Sequence, residues 1–295
     1  MAPTKAKSRI RFIDAIQGEP LGRAPQDSRG PIEAGATVPG GGVRRLHVWA
    51  MARGNRLTIA HDRALYVGEL AATGLHRHAA VALLVGLSGR FAVHFAHGRV
   101  EHCRSVLVDI GVEHVFDPCG EQVALVYLEP DAPEVRCLRA LLAREGGVLF
   151  DVANPVGACS PMEARLRAFD LPQILRHPME NAATGLDPRV ARSLQVLRQV
   201  GDQPWARGGL AQAAGLSPSR FNHLFREEAG VSFRSYRIWC QVRAAMTGAG
   251  PLMSLTDAAL QGAFSDSSHF SRTFRATFGM TPSSVLQGVA REVVR

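Results

Sequence analysis

Lysine is nearly absent. Lys5 and Lys7 are the only lysines among 34 basic residues, and arginine supplies the rest. Acidic residues number only 26, which leaves a net charge of +8 with histidine neutral. That balance favours an anionic partner, nucleic acid first, although arginine excess also follows from genome base composition. Long apolar runs are missing too. The longest clearly uncharged apolar stretch, Ala79 to Gly89, falls far short of the ~18 residues a membrane helix needs. The basic N-terminus is not followed by the apolar stretch of a secretion signal, so the expected location is the cytoplasm, with no membrane partner. The five cysteines (Cys103, Cys119, Cys137, Cys159, Cys240) are odd in number and lack CxxC spacing. In a cytosolic chain that excludes a disulfide or zinc framework. Nothing resembles a hydrolase triad, a phosphate loop or a kinase signature.

Hydrophobic content of 46% and charged content of 20% are enough for a substantial core. The length, 295 residues, allows about two domains at roughly 150 residues each. Residues 1–45, rich in Gly, Pro, Ala and Arg, read as a disordered or loosely packed arm. From Leu46 to Pro130, short Val-, Leu- and Phe-rich runs recur between Gly, Asp and Pro: Leu57–Ala60, Val81–Leu87, Phe91–Phe95, Ser105–Val108 and Val123–Leu128. That spacing predicts a small β-barrel or sandwich. Pro133 to Glu145 switches to helical periodicity, its apolar stripe free to pack on a second copy or on the barrel. Ser160-Pro161-Met162-Glu163 predicts a further helix start. A sheet-and-helix domain over 46–170, a linker over 171–186 and a DNA-binding domain over 187–295 follow, the last read as wholly helical.

The strongest signal lies between Leu210 and Val285. Phe221, Phe225 and Gly230 recur as Phe270, Phe274 and Gly279, each 49 positions later. Two similar helical units in tandem are the expected cause. In the first, Leu210 to Pro218 writes a short helix, a turn at Gly215, a cap at Ser217 and proline at the first helical position, which is a helix-turn-helix. At ~100° per residue, Phe221, Leu224 and Phe225 share one face. Ser219, His223 and Arg226 lie opposite, flanked by Arg220 and Asn222. In the second unit Phe270, Thr273 and Phe274 face inward. Ser268, Arg272 and Arg275 lie opposite, with Ser271 and His269 beside them. Short polar residues let a backbone approach a major groove, and arginine pairs with guanine edges or phosphates.

The stretch Ser254 to Ser284, with Ala258-Ala259, Gly262-Ala263-Phe264-Ser265-Asp266, Ser268-His269-Phe270-Ser271-Arg272, Phe278-Gly279 and Thr281-Pro282-Ser283, resembles the signature of AraC/XylS transcription regulators. The resemblance covers about residues 188–290. It implies two helix-turn-helix subdomains joined by a long helix, about Ser232–Met246, that read successive major grooves on one face of DNA. By that resemblance Ser219, Arg220, Asn222, His223 and Arg226, and Ser268, Ser271, Arg272 and Arg275, are the DNA-facing positions. Glycine is usual where Ala263 stands, and Gly262 is the expected supplier of the turn. Between Asp187 and Arg295 there are 13 arginines against 7 acidic residues, so most of the positive charge lies where DNA is expected.

Such regulators often carry a cupin-like barrel, and the fold class implied is α+β multidomain, a cupin-like β-barrel with following helices before an all-α tandem helix-turn-helix. His76-Arg77-His78 and Gly111-Val112-Glu113-His114 look like the two cupin motifs, although the glutamate expected four residues after His78 is Ala82. Alternation along a strand would put His76 and His78 on one face of the sheet. Three readings stay open for His76, His78 and His114: polar barrel residues with no cofactor, a divalent-metal site, or a pocket for an organic effector. Cys103 and Cys119 are the cysteines nearest the barrel, but the sequence shows no activating neighbour that would make them oxidant sensors. The expected partners are promoter DNA, RNA polymerase, a small-molecule effector and a second copy of the chain. The rival readings are a metal-dependent cupin enzyme and a constitutive regulator whose barrel only dimerises.

Overall fold

The computed structural model describes residues 55–153, 171–175, 185–199, 207–248, 254–286 and 290–293. The arm and the helix expected at Ser160 lie outside the described residues.

Among the described residues the first part has nine strands: β1 (Arg56–Ile59), β2 (Arg63–Gly68), β3 (Val81–Gly86), β4 (Phe91–Phe95), β5 (Val100–Cys103), β6 (Ser105–Val108), β7 (His114–Asp117), β8 (Val123–Leu128) and β9 (Val148–Phe150). Helix α1 (Pro133–Arg144) stands between β8 and β9, and a short helix α2 (Leu171–Ile174) follows. The helices of the second part are α3 (Pro188–Gln199), α4 (Arg207–Ala213), α5 (Pro218–Ala229), α6 (Phe233–Gly248), α7 (Leu255–Gln261), α8 (Ser267–Phe278) and α9 (Pro282–Leu286). A last strand, β10 (Ala290–Val293), corrects the wholly helical reading of this half. It pairs parallel with β1, so pairing with a strand more than 200 residues away overrides local propensity.

The larger sheet runs β10-β1-β2-β8-β3-β6-β9, the smaller one β5-β4-β7. Strand β3 shows how the sequence divides the core. All six of its residues are buried, and alternate side chains enter different clusters. Ala82 and Leu84 point to the space shared with Phe91, Val93 and Phe116 of the smaller sheet. Val81, Leu83 and Val85 face the other way, where Val135, Leu138 and Leu142 of α1 cover them. The apolar stripe of α1 is therefore spent on the sheet of its own chain. Leu171 and Ile174, within the segment read as a connection, join that same cluster.

The inner cluster does not stop at the strands. Val242, Ala245 and Met246 of α6, Ala258 and Ala259 of α7, and Phe270 and Phe274 of α8 belong to it, together with Leu57, Tyr66 and Leu125. The first helical unit has its own core of Val190, Leu194, Phe221, Phe225 and Tyr236, closed by Ala79 and Ala80 from the loop before β3.

Candidate nucleic-acid interface and the contacts that hold it

Helix α5 starts where Ser217 accepts a hydrogen bond from the Arg220 backbone N–H at 3.3 Å, with Pro218 at the first helical position. It ends at Gly230, whose φ of 72° is the left-handed conformation glycine adopts without strain. Helix α8 repeats the design. Asp266 accepts from the His269 N–H at 2.7 Å, and Gly279 closes the helix at φ 70°.

The turns between paired helices differ by one residue. Leu216 N–H bonds the Ala211 carbonyl in the first unit, and Phe264 N–H bonds that of Ala259 in the second, so Gly215 corresponds to Ala263. Ala263 itself takes the left-handed conformation, φ 55°, which corrects the expectation that Gly262 makes the turn. Gly262 has another task. A Cβ there would lie 2.6 Å from the Gln241 carbonyl oxygen and 2.8 Å from Ala245 Cβ, so only glycine lets α7 come this close to α6.

Phe221, Phe225, Phe270 and Phe274 are buried, as helical spacing predicts. Ser219, Arg220, His223 and Arg226 are exposed and Asn222 half-buried on α5. Ser268, Arg272 and Arg275 are exposed and Ser271 half-buried on α8. Among the described residues none of these four arginines makes a salt bridge. Sequence reasoning missed Ser232 and Arg234 at the start of α6, which line one concavity with Ser219, Asn222, His223 and Arg226. Their proximity arises from the α5–α6 turn and leaves no sequence pattern.

A polar hub joins the helices to the sheet. Glu129, just past β8 and buried, accepts hydrogen bonds from Tyr236 Oη (2.7 Å), Trp239 Nε1 (2.9 Å) and Arg243 Nη1 (2.6 Å). Beside it Arg198 of α3 pairs with both oxygens of Asp131, at 2.5 and 2.6 Å. Arg243 also donates to the carbonyls of Ala60 and His61, and Arg139 of α1 to those of Glu227 and Glu228 near the end of α5. Next to the hub Tyr66, Tyr127, Trp239, Met246, Phe274 and Phe278 line an apolar cavity between sheet and helices.

His76, His78 and His114 come together, His114 at the start of β7 and the other two on a loop. Residues 73–78 form a loop tied along 111–116 by backbone bonds from Thr73 to Phe116, by both bonds between His76 and His114, and from Gly111 to the His78 carbonyl. This replaces the expected strand placement of His76 and His78, because the run that would continue β3 backwards breaks at Ala79. The three rings meet edge-on or tilted, with centroids 4.4–5.3 Å apart. Burial pushes His76 down to about 3, with His114 adding repulsion. Burial also lowers His114 and takes His78 well below the usual imidazole range. All three are neutral near pH 7, the form that ligates metals. Ala82 turns into the core and supplies no carboxylate. Burial pushes Cys103 up to about 12 and also raises Cys119, which disfavours the thiolate form in both.

Among the described residues no helix is long and apolar enough to cross a membrane. The family described as a helix-turn-helix domain matches residues 210–288. The arabinose operon regulatory protein of Escherichia coli (strain K12) is 30% identical over 129 residues, 42% of this chain and 44% of that protein. The HTH-type transcriptional regulator GlxA of Rhizobium meliloti (strain 1021) is 31% identical over 100 residues, 33% of this chain and 31% of that protein. The chain thus spans less than half the length of these curated relatives. The crystal structure of apo ToxT from Vibrio cholerae shares the fold, with a TM-score of 0.51 at 12% identity, covering 77% of this chain and 97% of that one. The repeated capped helices and these matches identify residues 210–288 as a helix-turn-helix domain of the AraC type.

Proposed function

We propose that this protein is a sequence-specific DNA-binding transcription regulator, not an enzyme, whose helices α5 and α8 enter successive major grooves of a promoter. One observation carries the reading. Two capped helices, 49 positions apart in sequence, bury their phenylalanines and expose serine, histidine and arginine on the opposite face. Ser219, Arg220, Asn222, His223 and Arg226 form the first contact surface, and Ser268, Ser271, Arg272 and Arg275 the second. Serines near the helix starts let the backbone approach, and arginines reach base edges or phosphates. Arg234 adds a phosphate contact beside the first surface.

The sheet domain acts as the control element. Its core is continuous with that of the second helical unit, and Glu129 binds the helix that joins the two units. A small apolar effector in the cavity beside Trp239 and Phe278 would shift those contacts and, through them, how the polymerase is recruited. Such an effector works only if it binds the two arrangements with different affinity.

Binding of the purified full-length chain to fragmented genomic DNA of its own organism tests the proposal. Discrete sites with two sequence blocks about 10–10.5 bp apart are the expected result. Binding without any motif, at all salt concentrations, would overturn it.

A further inference from the structure

The loop carrying His76 and His78 touches the second recognition helix at its end. Gly74 donates its N–H to the Gly279 carbonyl at 2.7 Å. A Cβ on Gly279 would clash with the Gly74 carbonyl and lie 2.8 Å from His76 Nδ1. Phe278 packs on the His78 ring, 5.6 Å between centroids. The imidazole cluster is therefore seated against the turn that terminates α8.

The nitrogens of the cluster are arranged for a ligand. His76 Nδ1 lies 2.8 Å from the Gly74 carbonyl, and His114 Nδ1 lies 3.1 Å from that of Val112. A carbonyl only accepts, so both Nδ1 atoms carry the proton and both Nε2 atoms carry a lone pair, that of His76 facing His78 Nε2. Backbone carbonyls holding the outer nitrogen of a histidine are the usual second layer of a metal site. Inside, His76 Nε2 and His78 Nε2 are 3.1 Å apart. Two nitrogens on one tetrahedral ion at ~2.0–2.1 Å would be about 3.3 Å apart. His114 Nε2 is buried with no hydrogen-bond partner. One nitrogen from each ring falls within 4.8 Å of the others.

We infer that His76, His78 and His114 bind one divalent transition-metal ion, and that this ion latches the 73–78 loop onto Gly279 at the end of the second recognition helix. Imidazole ligands suit zinc, copper, iron, cobalt and nickel rather than magnesium or calcium. Three neutral ligands leave a coordination position open and the ionic charge uncompensated. The inference rests on the regulator reading for its consequence, the control of α8, but not for the binding itself.

The test uses the untagged full-length chain, freed of metal by chelation and titrated with Co2+ in the absence of DNA. One equivalent bound, with the visible absorption of nitrogen-ligated cobalt and a raised melting temperature, is the expected result. His114→Ala and His76→Gln should each lower the affinity at least tenfold while circular dichroism stays unchanged. The latch is tested by a matched pair of glycines. Gly230 and Gly279 close the two recognition helices with the same left-handed geometry, but a Cβ on Gly230 meets only ordinary contacts. Gly279→Ala should weaken Co2+ binding tenfold or more relative to Gly230→Ala. Equal cobalt affinity in those two variants would overturn the latch. Uptake no greater in the wild type than in His114→Ala would overturn the site. The two readings fail separately: motif-specific DNA binding without metal uptake sinks this inference alone. Coupled metal uptake without DNA binding sinks the regulator reading alone.

Discussion

Glu129 Oε1 accepts a hydrogen bond from the indole N–H of Trp239 at 2.9 Å, across a separation of 110 residues. One partner ends the sheet's β8, and the other sits midway along the helix that joins the two helix-turn-helix units. The same carboxylate takes Tyr236 Oη and Arg243, so three donors of one helix converge on a single acceptor group. A buried carboxylate is costly unless its lone pairs are filled, and here they are. The hub ties α6 to the sheet, and with it α5, which ends just before α6, and α7 and α8, which follow it.

Glu129→Ala should cost about 3–5 kcal/mol of stability, since it removes the acceptor shared by two buried donors and a partly buried guanidinium. Glu129→Gln should cost less, because an amide oxygen still accepts. Urea unfolding of the three proteins checks the order. An alanine variant within 1 kcal/mol of the wild type would show that the hub contributes little.

Phe270 and Arg272 stand two residues apart on α8 and should separate stability from recognition. Phe270 is fully buried, so Phe270→Ala should lose ~3–5 kcal/mol of stability. Arg272 is exposed, so Arg272→Ala should leave the melting temperature unchanged and lose ~1–3 kcal/mol of DNA affinity, with relaxed preference at one base pair. An equal loss on every sequence would make Arg272 a phosphate contact.

What the sequence revealed and what it hid follow the range of the interactions. The recognition helices are local objects. Their caps, Ser217 and Asp266, and their closing glycines lie within one helix length, and phenylalanine spacing alone identifies the buried face. Strands with dense apolar runs, such as Val81–Gly86, are equally legible. Strand β2, Arg-Ala-Leu-Tyr-Val-Gly, lacks clean alternation and forms because β1 and β8 flank it. Strand β10 exists only through β1. Glu129 belongs to no local pattern, and its role comes from donors on α6 more than 100 residues away. The histidines were visible as a group, because two short motifs carry them. Their contact with Gly279 was not, since it joins residues some 200 positions apart.

The turn of the second helix-turn-helix carries strain that a substitution should relieve. Alanine in the left-handed region costs about 1–2 kcal/mol, and Ala263 sits there exposed at φ 55°. Glycine gives back about 0.4–1 kcal/mol through its freer unfolded chain. Ala263→Gly should therefore gain about 0.5–1 kcal/mol in thermal or urea unfolding. Its neighbour should respond in the opposite sense: Gly262→Ala forces a methyl against Gln241 and Ala245 and should lose about 1–3 kcal/mol. If both changes destabilise, Ala263 is not the residue that makes the turn.

Salt dependence should count the arginines that meet phosphate. Each neutralised phosphate adds about −0.9 to the slope of log affinity against log salt concentration. Arg226 and Arg275 lie near the C-terminal ends of α5 and α8, a turn or more from the serines at the helix starts. With the helix N-termini directed at the bases, those ends reach the backbone flanking the groove. Arg226→Ala and Arg275→Ala should each reduce the slope by about 1 and weaken all sequences alike. The double variant should reduce it by about 2, because the two residues belong to different helical units and share no partner. An unchanged slope with altered base preference would move these two arginines from the backbone to the base edges, and α5 and α8 would then lie deeper and flatter in their grooves.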